Sequence, residues 1–390
     1  MRKIQSCVLL AVAAVMLMVG CSPPPGGPSS SPATQVPLPT VKTATPIPSA
    51  RSAWEVEWDR VQAAGASENL LTFATSATGR ELATAFQNRF GIRAESISAT
   101  AGLLASKILN EQRAGLYLWD AFIGGAGTQV TSFKSAGATV PLDSALILPD
   151  LTDPAAIKIA WYGGRLPWVD KDHHLIAAVA YDSVMAAINT NLAKPGEIKV
   201  WDDLLNPKWK GKIMMLDPTK TGKTGSSVMP FLYEVKGEAW VRNFAKQDIV
   251  ITPDARITLD WLAHGKYPVV VGPREADFVE FSKIGAPIAP VDFDDIRCLE
   301  SGSSPLSMVR NSPHPNAAKM FINWFLSKEG QTVYSKALGS PSVRLDVSTE
   351  GIPAYAIVKQ DRKYFNKDQE ELLVKIPDYT NKSREIFGIK

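Results

Sequence analysis

The stretch at residues 216–227 reads Leu-Asp-Pro-Thr-Lys-Thr-Gly-Lys-Thr-Gly-Ser-Ser. It follows a short apolar run at 212–216, Lys-Ile-Met-Met-Leu, and leads into a second apolar run beginning at Val228. The first run predicts a strand and the second a helix. A loop of Gly, Ser and Thr between a strand and a helix carries backbone N–H groups without partners, beside the positive end of a helix dipole. Such a turn holds the oxygens of a small anion. A phosphate loop is the competing reading, and it needs Gly, four residues, then Gly-Lys-Ser/Thr. Gly222, Lys223 and Thr224 supply the end of that motif, but Asp217 stands where the first Gly belongs, and its charge repels phosphate. The loop therefore reads as a solute cradle, with Thr221, Gly222 and Thr224 as candidate ligand-binding residues. A plain turn with a helix cap is the bland alternative.

The same alternation of strand, Gly/Ser/Thr turn and helix recurs along the chain. Residues 70–75 predict a strand, 76–79 its turn, and Leu82, Phe86 and Phe90 one face of the following helix. Thr78 and Glu81 have the spacing of a capping box. Strands are predicted at 96–100, 120–125, 213–216, 249–252 and 269–271, with helices at 103–113, 228–246, 254–264 and 275–284. Residues 173–182 read as a long strand, and residues 286–293 as a return of the chain to its first half. Strands alternating with helices argue for an α/β body with mostly parallel sheets, in which ligands sit beyond the carboxyl ends of the strands. Ser76, Thr78 and Gly125 fall at such ends and join the candidate site, as does Arg274 after the strand at 269–271. Tyr181, with Trp161, Tyr162 and Trp168 nearby, could pack against an organic solute or cap the core; of these Tyr181 is retained as a candidate. His173 and His174 are adjacent on a predicted strand, so they point to opposite faces and read as structural.

Composition narrows the function classes. The chain has 390 residues, is 45% hydrophobic and 21% charged, and suggests about two domains. Its formal charge is +3; without residues 1–20 it is +1, from 40 basic and 39 acidic side chains. That leaves no basic footprint for nucleic acid. Three cysteines, Cys7, Cys21 and Cys298, leave one thiol in the expected folded body and no intrachain disulfide.

Arg2 and Lys3 precede an apolar run at 8–19 that is too short to span a bilayer but suits an export signal. The run ends in Leu-Met-Val-Gly-Cys at 17–21, which resembles the lipobox of bacterial lipoproteins. The resemblance implies that Cys21 is acylated, becomes the mature N-terminus and anchors the chain to a membrane. The Pro, Ser and Thr that follow to residue 50 bury little and predict a disordered, semi-extended tether.

Three stretches resemble one family. They are Trp-Asp-Asp-Leu-Leu-Asn-Pro-Lys-Trp-Lys-Gly-Lys-Ile at 201–213 followed by Asp217-Pro218, Pro-His-Pro-Asn-Ala-Ala-Lys-Met-Phe-Ile-Asn-Trp-Phe-Leu-Ser-Lys-Glu-Gly-Gln at 313–331, and Ser-Pro-Ser-Val-Arg-Leu-Asp at 340–346. Together they resemble the extracellular solute-binding proteins of ATP-binding-cassette (ABC) importers, in the branch that includes ferric-ion-binding proteins. The resemblance implies a type II periplasmic-binding-protein-like fold: two α/β lobes joined by two crossover strands, closing on a ligand by hinge motion. It divides the chain into a signal peptide at 1–20, a tether at 21–50, the first lobe at 51–177, the second lobe at 178–290, and the rest of the first lobe with a C-terminal tail at 291–390. It implies a monomer that captures a small solute outside the cytoplasm and delivers it to a membrane permease and its ATPase. Ala317, Met320, Phe321, Trp324 and Phe325 share one helix face and read as core, not as ligand contacts.

Ferric-ion members use two adjacent tyrosines, and no two of the nine tyrosines here are adjacent. Glu275 and Asp277 could bind a metal, but Arg274 beside them favours an anion such as a carboxylate, phosphonate or phosphate-like compound. No cofactor and no resident metal is expected. Iron binding within the same family is the alternative. No His-Glu-x-x-His, Cys-x-x-Cys or Gly-x-Ser-x-Gly occurs, so an enzyme is not expected. A lipid-anchored extracytoplasmic hydrolase is the rival class, since catalytic groups also assemble from distant residues.

Overall fold

The alternating apolar runs pair into three sheets in the computed structural model, which describes residues 51–220 and 228–389. Cys21, Thr221, Gly222 and Thr224 lie outside the described residues. In chain order the strands are β1 (Leu70–Thr75), β2 (Arg93–Ser98), β3 (Ala121–Ile123), β4 (Thr139–Val140), β5 (Tyr181–Asp182), β6 (Ala186–Asn189) and β7 (Ile213–Leu216). They continue as β8 (Val250–Thr252), β9 (Val269–Val271), β10 (Ile288–Pro290), β11 (Arg297–Glu300), β12 (Leu306–Val309) and β13 (Tyr364–Asn366).

The first lobe is built on the order β2-β1-β3-β12-β4 and the second on β10-β6-β9-β7-β8. Each sheet has a parallel part, β2-β1-β3 and β8-β7-β9. Each also has an antiparallel part, supplied by β12 in the first and by β6 and β10 in the second. The sheets are therefore mixed rather than mostly parallel. β5 carries the chain from the first lobe to the second and β11 carries it back, pairing antiparallel in a third sheet that β13 completes.

Aromatic packing fixes the first core. The helix Pro315–Leu326 buries Ala317, Met320, Phe321, Trp324 and Phe325 together, as its helical spacing predicts. Phe321 stacks on Phe73 of β1 at 4.8 Å, and Phe86 meets Phe321 and Trp324 edge-on at 5.6 and 5.7 Å. Such pairs contribute about 0.5–1.5 kcal/mol each beyond their buried area. In the second lobe Trp201 is fully buried, stacks on Phe293 at 4.1 Å, and donates its indole N–H to the Ile296 carbonyl. The Trp-Asp-Asp-Leu-Leu signature is thus a packing motif of the second core.

Several local expectations are corrected. Thr78 does not form a capping box: it adopts φ 60°, in the left-handed region, and its hydroxyl donates to the Ala77 carbonyl. β2 begins at Arg93, three residues before the predicted start, because its pairing with β1 runs in register from Leu70↔Arg93. Residues 173–180 are not a continuous strand. His173 takes φ 58° and stacks on Trp168 at 4.3 Å, while isolated bridges at Ile176 and Val179 hold the rest against the first lobe. Residues 288–290 do not return the chain, since β10 stays in the second sheet beside β6.

Two single changes test this core. Asn323 is fully buried in Pro315–Leu326; its side chain accepts from Ile147 and Leu148 N–H and donates to the Ala145 and Lys319 carbonyls. Asn323→Leu leaves buried backbone groups without partners and should lower unfolding free energy in urea titration by about 3 kcal/mol. A Cβ on Gly330 would lie 2.1 Å from the Trp324 carbonyl oxygen and 2.6 Å from Phe325 Cα. Gly330→Ala should force the helices Pro315–Leu326 and Lys328–Leu338 apart and cost about 3 kcal/mol by the same measurement.

Candidate functional site

The carboxyl ends of β1 and β3 are drawn together by backbone bonds. Ser76 N–H donates to the Ile123 carbonyl at 2.9 Å, and Gly124 N–H donates to the Pro305 carbonyl at 3.2 Å. Ser76 is exposed, and its Oγ lies 3.2 Å from where a Cβ on Gly124 would stand. Gly125 precedes a short helical turn whose first residue, Ala126, donates its N–H to the Gly302 carbonyl at 2.7 Å. Gln129, fully buried, clamps this edge by donating to the Gly124 and Pro305 carbonyls and accepting from Ser307 Oγ. Ser76 and Gly125 are thus brought to one edge of the first lobe, joined there by the loop at 301–305.

That loop is held from outside the lobe. Asp368, just after β13, accepts the backbone N–H groups of both Ser301 and Gly302 at 2.8 Å. Lys367 beside it is 6% exposed and pairs with Glu300 at 2.5 Å and with Asp368 at 3.0 Å. Burial alone would lower the Lys367 ammonium, but Asp368 and Glu300 outweigh it and hold it above the ordinary lysine range. The residues Ser301-Gly-Ser-Ser-Pro305 are not among the candidates the sequence offers, although a Gly/Ser run between two strands is itself a loop signal.

Tyr181 sits where the lobes join. It opposes Glu300 in the β5–β11 pairing. Burial, then the neighbouring Glu300, Glu275 and Asp368, push its phenol well above the usual range. Glu275 opens the helix Glu275–Lys283 directly after β9, and its carboxylate accepts the Val184 N–H at 3.1 Å. Burial raises Glu275 to about 7, against the opposing Val184 hydrogen bond, with Glu300 and Asp182 adding to the rise. Tyr355 meets Phe278 of that helix edge-on at 5.5 Å and is pushed up to about 12 by burial and by Glu275. Tyr181, Glu275, Glu300 and Tyr355 therefore form a base rich in acidic oxygens.

Arg274 is turned elsewhere. Its guanidinium grips both oxygens of Asp277, which is 2% exposed, in the first turn of its own helix. The fork that would recognise an anion is thus engaged by a buried carboxylate. Thr78 lies partly buried with its hydroxyl turned to the chain. The oxygens of Asp170, Asp172 and Glu370 lie within 4.8 Å of one another, but Lys134 Nζ sits among them at 2.7, 2.9 and 2.8 Å. An ammonium already occupies the centre of that cluster. Cys298 is fully buried, and burial pushes its thiol far above the nucleophilic range. A polar groove of about 500 Å³ between the helix Gly79–Phe90 and β2 is lined only by residues 80–98, and so belongs to one lobe.

Solved structures share this architecture at low identity. Trichodesmium FutA (IdiA), in complex with iron and citrate, matches with a TM-score of 0.64 at 15% identity, over 81% of this chain and 99% of that one. AfuA from Actinobacillus pleuropneumoniae, with fructose-6-phosphate bound, matches with a TM-score of 0.56 at 20% identity, over 82% and 99%. A Bordetella parapertussis protein described as a putative extracellular solute-binding protein matches at 0.64 and 14%, over 82% and 99%. An uncharacterized protein of Haemophilus influenzae is 27% identical over 211 residues, 51% of this chain, and the match spans 58% of that relative's length. Residues 81–363 match the family described as bacterial extracellular solute-binding protein. With that match covering most of the residues that build both sheets and the crossover strands between them, the chain belongs to the bacterial extracellular solute-binding protein family.

Proposed function

We propose that this protein is the substrate-binding component of an ABC importer, capturing a small solute between its lobes and handing it to a membrane permease. The carboxyl edges of both sheets lead to the β5–β11 crossover, where a bridging ligand would touch both lobes. Contacts made only in the closed state then shift the hinge equilibrium toward closure. The anchoring of the chain through an acylated Cys21, outside the cytoplasm, belongs to the same proposal and accords with the family's extracellular members.

The observation that carries the choice of solute is Glu275. A buried carboxyl near Glu300, Tyr181 and Tyr355 disfavours a bare anion at the base of the cleft and favours a positive centre: a metal chelate, an amine or another cation. The anion suggested by Arg274 loses its main support because Asp277 holds the guanidinium. The FutA complex with iron and citrate accords with this choice, whereas the AfuA complex with fructose-6-phosphate stands for the anion.

Thermal denaturation of the full chain with ferric citrate, spermidine, fructose-6-phosphate and inorganic phosphate separates these solutes. A cationic or chelated probe at one hundred times its Kd should add about 2.7 kcal/mol. Loss of that gain in Glu275→Gln supports the assignment; stabilisation by phosphate or fructose-6-phosphate alone, unchanged in Glu275→Gln, overturns it. No response to any probe, together with no change in scattering radius, would count against a receptor.

Glu275 also sets a pH dependence with a definite sign. Its folded value near 7 exceeds the 4.5 of a free glutamate, so the fold binds this proton more tightly than the unfolded chain does. The resulting stability is complete below about pH 4.5 and is lost as pH rises through 7. Unfolding free energy should therefore fall by up to about 3 kcal/mol from this group between pH 5 and 8. Glu275→Gln, which keeps an acceptor for Val184 N–H, should flatten that decline in paired urea titrations. Binding of a cationic probe should run oppositely and tighten over the same interval, because it needs the ionised carboxylate.

A further inference from the structure

The family match ends at residue 363, and the chain beyond it does not simply trail from one lobe. β13 adds to the crossover sheet, parallel to β11 in the register Arg297↔Tyr364 to Leu299↔Asn366. Its Tyr364 hydroxyl donates to Asp182 of β5 at 3.1 Å.

The next segment docks on the first lobe. Glu370 N–H donates to the Val169 carbonyl at 2.9 Å, and the Glu370 carboxylate pairs with Lys134 at 2.8 Å. Leu373 is buried in a cluster with Ala126, Val130, Val169, Leu175 and Ala177.

The helix Ile376–Phe387 then docks on the second lobe. Tyr379 is buried and stacks on Tyr233 at 5.4 Å, and its hydroxyl donates to Glu234. Lys375 also reaches Glu234, Lys382 reaches Glu238, and Glu385 reaches Arg242. Within about twenty residues the chain is therefore tied to the first lobe, to the second, and to the sheet between them.

We propose that residues 364–389 act as a strap that limits how far the lobes part, and that Asp368 is a positioning residue through which the strap holds the cleft loop at 301–304 beside Gly125. Opening the lobes requires the segment between Leu373 and Tyr379 to stretch or one end to undock. The Leu373 end is held by apolar packing and the Lys134 ion pair. The Tyr379 end is held by ring stacking and a row of charge pairs. Asp368 lies in the same strap, so strain along it bears on the Ser301 and Gly302 N–H groups that this carboxylate accepts.

The strap rests on the two-lobe hinge reading, and one label pair tests both separately. Spin labels at Lys158→Cys and Lys283→Cys, both exposed and one on each lobe, report interlobe distance in the full chain with Cys7→Ser and Cys21→Ser; buried Cys298 takes no label. Tyr379→Ala frees the second-lobe end, and Leu373→Ala frees the first by removing its packing against Val130, Val169 and Leu175. Each should lengthen and broaden the solute-free distance distribution while the melting temperature falls by only a few degrees. Tyr379→Phe, which keeps the ring, should give a smaller change should Tyr379→Ala fail to fold.

Asp368→Ala should raise amide exchange at 301–304 at least tenfold, with Pro315–Leu326 unchanged. Distance distributions identical to the parent in both end variants, or exchange unaltered at 301–304, overturn the strap. If the parent distance ignores every solute probe yet the end variants still widen it, the receptor reading fails and the strap stands.

Discussion

The pairing of β11 with two neighbours is the constraint on which the arrangement of the lobes depends. β5 and β11 meet over only two residue pairs, Leu299↔Asp182 and Glu300↔Tyr181. Two short strands alone make a marginal unit in water. β13 supplies the third strand and satisfies the other edge of β11. Arg297 lies across this sheet, 8% exposed, with its guanidinium on Asp182 and Asp292. Such a buried pair adds little net stability, because desolvating its charges costs about as much as their attraction returns. It does penalise any register that separates them, and so it specifies how the crossover strands align.

From that alignment follows the electrostatic character of the cleft. The β5–β11 register sets Tyr181 opposite Glu300, and the Val184 N–H just beyond β5 reaches Glu275 at the start of the helix that follows β9. Acidic groups from the crossover strands and the second lobe therefore meet where water is scarce. Lys367 compensates Glu300 and Asp368, whereas Glu275 carries the residual strain as a proton held up to neutral pH. The Lys134 cluster with Asp170, Asp172 and Glu370 shows another solution, in which one ammonium bridges three carboxylates and serves docking.

Much of the fold was legible in the residues. The periodicity of Leu82, Phe86 and Phe90, the apolar run at 213–216, and the face of Ala317, Met320, Phe321, Trp324 and Phe325 each predicted an element the structure contains. Boundaries failed where pairing overrode pattern, as at β2. Polar spacing failed where the backbone turned left-handed, as at Thr78. The candidate site was legible in part. Ser76 and Gly125 fall at strand ends, which the pattern marks, and share an edge, while the pairing of Arg274 with Asp277 in its own helix depends on side-chain geometry that the pattern does not carry.

Local periodicity and short motifs carried many of the strands and helices, the core face of Pro315–Leu326 and the family resemblance in the residues alone. Only the tertiary structure decided which polar groups are free, since that depends on partners far apart in the chain. Glu275 meets Val184 across 91 residues, and Asp368 meets Gly302 across 66. Burial then sets the charge of each group, and burial is a property of the packed whole rather than of any stretch.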